Sequence, residues 1–120
     1  MHELSLIQDV LDSVAPVACD AGATKVTGVT LNIGEMTEVV DEAMRFAWDC
    51  LTQDEELFDG AELVINYINA RSRCFECGGE FEHDRFHLKC PACGSGHTIV
   101  IAGREMDIAS ITVETPDDDE

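Results

Sequence analysis

Apolar residues recur at helical spacing through the start of the chain. Leu4, Ile7, Leu11, Val14 and Ala18 fall on one stripe, separated by Ser5, Gln8, Asp9 and Asp12, so residues 4–18 read as an amphipathic helix. Pro16 lies inside it; proline lacks an amide donor and crowds the preceding turn, so a kink or loosening is expected there. Asp20-Ala21-Gly22 ends the helix. The pattern then changes to alternation, with Val29, Leu31 and Ile33 set against Thr30 and Asn32, a strand over 25–33 that Gly34 closes. A second helix is expected over about 38–52, with a broad apolar face of Val39, Val40, Ala43, Met44, Phe46, Ala47 and Leu51, joined by Trp48. The polar stretch Thr52 to Gly60 leads to a strand at 61–68, which carries Leu63, Ile65 and Tyr67 on one side and Val64 and Ile68 on the other. Glu105 to Val113 reads as one more strand, and no internal repeat is visible.

The order is therefore helix, strand, helix, strand, a cysteine-bearing segment, strand. The economical architecture is α+β: a two-layer domain of a three-stranded sheet with two helices, plus a zinc-ribbon-like module inserted between strands that can pair. This assigns residues 1–70 and 104–114 to an α/β domain, 71–103 to the module and 115–120 to a solvated acidic tail.

Charge narrows the function classes. Seven Lys and Arg stand against 25 Asp and Glu in 120 residues, a formal charge of −18. A phosphate backbone would repel such a chain, so no nucleic-acid partner is expected. A hydrophobic fraction of 45% argues against whole-chain disorder, and no apolar run is long enough to span a bilayer, so no membrane role is expected. Met1-His2-Glu3-Leu4 lacks the basic start of a secretory signal, which points to a cytoplasmic protein.

Four of the six cysteines form two tight pairs, Cys74-Phe75-Glu76-Cys77 and Cys90-Pro91-Ala92-Cys93, with twelve residues between them. Two such pairs at this separation read as a tetrathiolate metal site rather than as disulfides. Each pair lets both sulfurs reach one ion, and Gly78-Gly79 and Gly94 suit the tight turns that follow. Structural Zn(II) is the default occupant. Cys90-Pro91-Ala92-Cys93-Gly94 also resembles the iron-binding knuckle of rubredoxins, so iron is the alternative. Cys19 and Cys50 read as buried, inert thiols. His83, His87 and His97 read as exposed loop residues, since four cysteines already complete a tetrahedral site.

The amino terminus supports two readings. In one, Glu3 merely favours the positive end of the first helix. In the other, the α-amine of Met1, the amide and imidazole of His2 and the carboxylate of Glu3 chelate one ion, and such nitrogen-rich surroundings favour Ni(II) or Cu(II).

Taken together, Met1-His2-Glu3-Leu4-Ser5-Leu6, Ile33-Gly34-Glu35, the twin cysteine pairs and Gly103-Arg104-Glu105-Met106-Asp107-Ile108 resemble the HypA/HybF family of nickel metallochaperones over about residues 1–114. The resemblance implies a nickel metallochaperone, not an enzyme, that delivers Ni(II) for maturation of [NiFe]-hydrogenase. It implies nickel on Met1, His2 and Glu3 and structural zinc on Cys74, Cys77, Cys90 and Cys93. It also implies a HypB-type GTPase and the hydrogenase large subunit as partners. Some family members add a carboxylate ligand at the start of the second helix. The matching position here is Val40, which cannot coordinate, with Glu38, Asp41 and Glu42 beside it. The helix faces and sheet edges leave room for a homodimer. The competing classes are a zinc-ribbon adaptor that binds no nickel and a rubredoxin-like electron-transfer protein, whose iron form would be red.

Overall fold

A computed structural model of the chain describes residues 3–84 and 86–116. Its elements are α1 (Glu3–Asp20), β1 (Lys25–Gly34), α2 (Asp41–Thr52), β2 (Glu62–Ile68), β3 (Ala70–Cys74), β4 (Glu80–His83), β5 (Thr98–Ala102) and β6 (Met106–Glu114). The fold is α+β, as expected, with one three-stranded sheet in the order β2-β1-β6 and a second in the order β4-β3-β5. The chain forms two compact units: residues 1–31, 39–65 and 108–120 make the first, and residues 32–38 and 66–107 the second. The second unit is thus wider than the cysteine segment, because it also takes in the end of β1 and the turn after it.

In the first unit, α1 buries Ile7, Val10, Leu11, Val14 and Ala18, the stripe that the spacing predicts with Val10 added and without Leu4, which is exposed near the start of the helix. The helix runs on past Pro16 to Asp20. The carbonyl that Pro16 cannot bond belongs to Asp12, and both residues are exposed, so water can serve it. Gly22 ends the helix at φ 75° with nested bonds, from the Ala23 amide to the Ala18 carbonyl (2.9 Å) and from the Gly22 amide to the Cys19 carbonyl (3.0 Å).

The second helix starts later than the spacing predicts. Glu35–Thr37 forms a 3-10 turn, with the Thr37 hydroxyl donating to the Gly34 carbonyl at 2.7 Å. Val39 and Val40 therefore precede α2, and Val40 serves as its N-cap with extended backbone and no side-chain cap. Only Met44, Ala47 and Trp48 of α2 are buried, while Phe46 is 70% exposed and Val40 56%. The apolar face is narrower than expected because the residues at those positions face solvent.

Phe58, in a 3-10 turn at Glu56–Phe58 within the expected polar stretch, is a core residue that patterning missed. Its ring meets Trp48 edge to face, with centroids 6.2 Å apart, and the Trp48 indole donates to the Ala61 carbonyl at 3.1 Å. Val26, Val29 and Leu31 of β1 and Leu63 of β2 complete this core. Each large apolar side chain so buried is worth about 1.5–3 kcal/mol relative to exposure.

The second unit has little apolar interior. Along β3, Ala70, Ser72 and Cys74 point inward while Arg71 and Arg73 are exposed. Both neighbours of β3 run antiparallel to it; Ser72 stands opposite Phe81 of β4 and Val100 of β5. Arg71 and Arg73 grip the two carboxylate oxygens of Glu80, at 3.1 and 2.9 Å. Two glycines bring backbones into contact. A Cβ at Gly34 would lie 2.0 Å from the Gly103 carbonyl oxygen, and Gly103, at φ 113°, faces the Ala70 Cα at 2.6 Å from its own hypothetical Cβ.

Candidate metal centre

The metal centre grows out of two backbone turns of the same design. In each, the chain turns from a first cysteine (Cys74 at the end of β3, and Cys90) through two residues to a second cysteine, and a glycine in the left-handed region follows. Gly78 (φ 75°) donates its amide to the Cys74 carbonyl at 2.9 Å, and Gly94 (φ 73°) to the Cys90 carbonyl at 2.7 Å. The Cys74 amide in turn reaches the Gly79 carbonyl at 2.8 Å, and the Cys90 amide the Ser95 carbonyl at 3.0 Å. A residue with a Cβ would be strained at either glycine, so the glycines after each pair are a backbone requirement. The first cysteine of each pair is buried and the second exposed.

These turns bring four sulfurs together. The Sγ atoms of Cys74, Cys77, Cys90 and Cys93 all lie within 4.8 Å of one another. The sulfurs of Cys74 and Cys93 are 3.6 Å apart, as are those of Cys77 and Cys90. That is far beyond the roughly 2.05 Å of a disulfide. A tetrahedral ion with metal–sulfur bonds of about 2.3 Å requires sulfurs about 3.8 Å apart, so the arrangement fits such an ion.

The electrostatics agree. Amide donors, chiefly that of Cys77, lower the Cys74 thiol to about 7, and the Cys93 amide lowers Cys90 in the same way. The second cysteines go the other way. The Gly79 amide favours a thiolate at Cys77, but the sulfurs of Cys90 and Cys74 outweigh it and raise the thiol. At Cys93 the Ser95 amide is likewise outweighed, by Cys74, burial, Cys90 and Cys77, and the thiol is pushed up to about 12. Amides thus prepare negative charge, and the sulfurs are too close to carry it together without a cation.

Around the centre, His83 departs from expectation. It lies in β4, half-buried, rather than in an exposed loop. Its Nδ1–H donates to the Asp84 carbonyl at 2.5 Å, which leaves Nε2 to accept from the hydroxyl of wholly buried Ser72 at 2.6 Å. His87 and His97 are exposed, beside Asp84 and Glu76 respectively. Cys19 and Cys50 are exposed too, correcting the expectation of buried thiols. Both fall on the outer sides of their helices.

Of the residues expected to hold nickel, Met1 and His2 lie outside the described residues, and Glu3 is the first residue of α1, half-buried. Among the described residues, the four cysteines are the only group of three or more Cys, His, Asp or Glu placed to hold an ion. Sequence reasoning missed Ser72, the wholly buried hydroxyl that meets His83 eleven positions away. No local signal marks it, whereas the shared Cys-x-x-Cys-Gly pattern of 74–78 and 90–94 marked both turns.

Comparison with known proteins bears on the whole chain. A family described as "Hydrogenase/urease nickel incorporation, metallochaperone, hypA" matches residues 1–113. The chain is 42% identical to hydrogenase maturation factor HypA of Caldanaerobacter subterraneus, over 95% of this chain and 100% of that protein. It is 38% identical to the protein of the same name from Chlorobaculum parvum, with the same shares covered. In fold it resembles the solution structure of the Ni metallochaperone HypA from Helicobacter pylori, with a TM-score of 0.68 at 22% identity, covering 96% of this chain and 99% of that one. With a family match over nearly its full length and these close relatives, the chain belongs to the HypA family of nickel-incorporation metallochaperones, which are metal carriers rather than enzymes.

Proposed function

We propose that the chain carries Ni(II) as cargo at its amino terminus and hands it over for maturation of [NiFe]-hydrogenase, while Zn(II) on Cys74, Cys77, Cys90 and Cys93 holds the second unit together. The observation that carries this is the family match, which begins at residue 1 and runs to residue 113. Glu3 supports it: the carboxylate sits on the first turn of α1, next in sequence to His2. The Met1 amine, the His2 nitrogens and Glu3 form one continuous chelate in the sequence. Zinc would tie the two cysteine turns together, an effect that matters in a unit with so few buried apolar side chains. In this reading a HypB-type GTPase and the hydrogenase large subunit are the partners, in the cytoplasm. Among the described residues no helix is long and apolar enough to cross a membrane.

The test is a calorimetric nickel titration of protein with an authentic Met1. One nickel per chain is expected, with micromolar affinity, about −8 kcal/mol, so that the metal can be passed on. His2→Ala should abolish it, as should one residue added before Met1, which turns the amine into an amide. Binding should also fall as pH drops through about 6, because amine and imidazole must lose protons to ligate. Equal binding by the wild type and His2→Ala would overturn the amino-terminal site.

A further inference from the structure

The first unit also carries a groove of its own. One stripe of α1, formed by Gln8, Leu11, Asp12 and Ala15 at helical spacing, faces Leu51 at the end of α2 and Phe58 in the turn beyond it. Between them lies a groove of about 210 Å³. Its floor is apolar: Leu11 and Phe58 are buried, Leu51 and Ala15 half-buried. Ala15, one of its lining residues, contributes only a methyl group. Its rim is acidic or amide-bearing, with Asp12 and Gln8 hydrogen-bonded to each other at 2.9 Å and Glu55 opposite.

Glu55 also lines the adjacent concavity, of about 390 Å³, together with Gln53, Asp54, Glu56, Asp59 and Lys25. Lys25 is the one basic group there, 3.7 Å from Asp59. An apolar slot and an acidic basin thus share a wall. The slot is smaller than the roughly 300–1,000 Å³ of an ordinary small-molecule site, which suits a single side chain.

We infer that this pair of cavities docks a protein segment that puts one apolar side chain into the slot and a Lys or Arg, about one helical turn away, into the basin. Charge complementarity selects this occupant. The described residues of the first unit include 13 acidic against two basic, a net −11, so an acidic or neutral partner would gain nothing here or be repelled. The apolar floor supplies what long-range attraction cannot, a desolvated anchor point. The site stands whether or not the amino terminus binds nickel.

The probe is a panel of short fluorescein-labelled helical peptides, each with one Leu, Ile, Met or Phe and an Arg or Lys one turn away, titrated with the full chain at low and high salt. At least one should bind, more weakly at high salt. Its amide shift changes should centre on residues 8–15 and 51–58. Ala15→Leu fills the slot with a good helix former, and Glu55→Lys reverses the shared wall; each should weaken binding about tenfold or more. Asp9→Lys makes the same charge change on α1 outside the groove and should move affinity no more than about twofold. The inference is overturned if no peptide binds, if the shifts fall elsewhere, or if Ala15→Leu and Glu55→Lys weaken binding no more than Asp9→Lys.

Discussion

The two units of this chain are stabilised by different physics. Among the described residues, the first buries thirteen apolar side chains, from Ile7 to Leu63, across two helices and a sheet. The second buries Ile33 and Ala70, two cysteines and Ser72. Charge divides as unevenly. Among the described residues, four basic against eight acidic leave the second unit at −4, while the first stands at −11. A helix-covered sheet can absorb that self-repulsion because its core is large. A small sheet with almost no core has instead a cluster of four cysteines placed to hold an ion, the Ser72–His83 hydrogen bond and close backbone contact.

Metal removal is the strongest test of that contrast. A chelator, or Cys74→Ser, should collapse amide dispersion in 66–107 while the helical circular dichroism signal of α1 and α2 remains. Apparent binding energies of structural zinc run to about 10–16 kcal/mol, more than the second unit can replace by packing. Loss of both signals together would break the contrast. Next comes Trp48→Ala, which empties the edge-to-face contact with Phe58 and orphans the Ala61 carbonyl. It should cost the first unit about 3–5 kcal/mol in denaturant unfolding. Metal retention, followed by elemental analysis, should be unchanged.

A smaller effect is expected from Ser72→Ala, which leaves Nε2 of half-buried His83 without its donor. The cost is about 1–3 kcal/mol, to be read as faster exchange of the β3 and β4 amides. Smallest of all is the Glu80 pair. Arg73, then Arg71, holds the Glu80 carboxyl below the usual carboxylate range, helped by direct hydrogen bonds. A depressed folded value means the contribution is present above the unfolded carboxylate pKa and lost as pH falls through the folded one. Glu80→Gln should therefore flatten the acid limb of the stability curve slightly and leave neutral pH almost unchanged, because the pair is exposed. A large loss at pH 7 would mean that the second unit leans on surface charge after all.

Much of this was legible in the sequence, where local chemistry decides local structure. The stripe from Ile7 to Ala18, the alternation of Val29, Leu31 and Ile33 and the two Cys-x-x-Cys-Gly turns each follow from spacing, so both helices, the first sheet and the tetrathiolate centre could be placed. The resemblance at the amino terminus pointed to the family. Other features depended on what the chain packs against. Phe58 looked like part of a polar loop until the 3-10 turn brought it to Trp48. Phe46 and Val40 looked like core and face solvent. Cys19 and Cys50 have apolar neighbours in sequence but lie on the outer sides of their helices. His83, read as a loop residue, is a strand residue bonded to Ser72, eleven positions away.

The division has one physical cause. Periodicity and ligand spacing are short-range properties, set by backbone geometry within a few residues, and the sequence alone determines them. Burial of a given face, the opening of a groove beside Ala15, and the meeting of Gly34 with Gly103 are long-range events. Only the tertiary structure decided those, because each needs a surface supplied by a distant part of the chain.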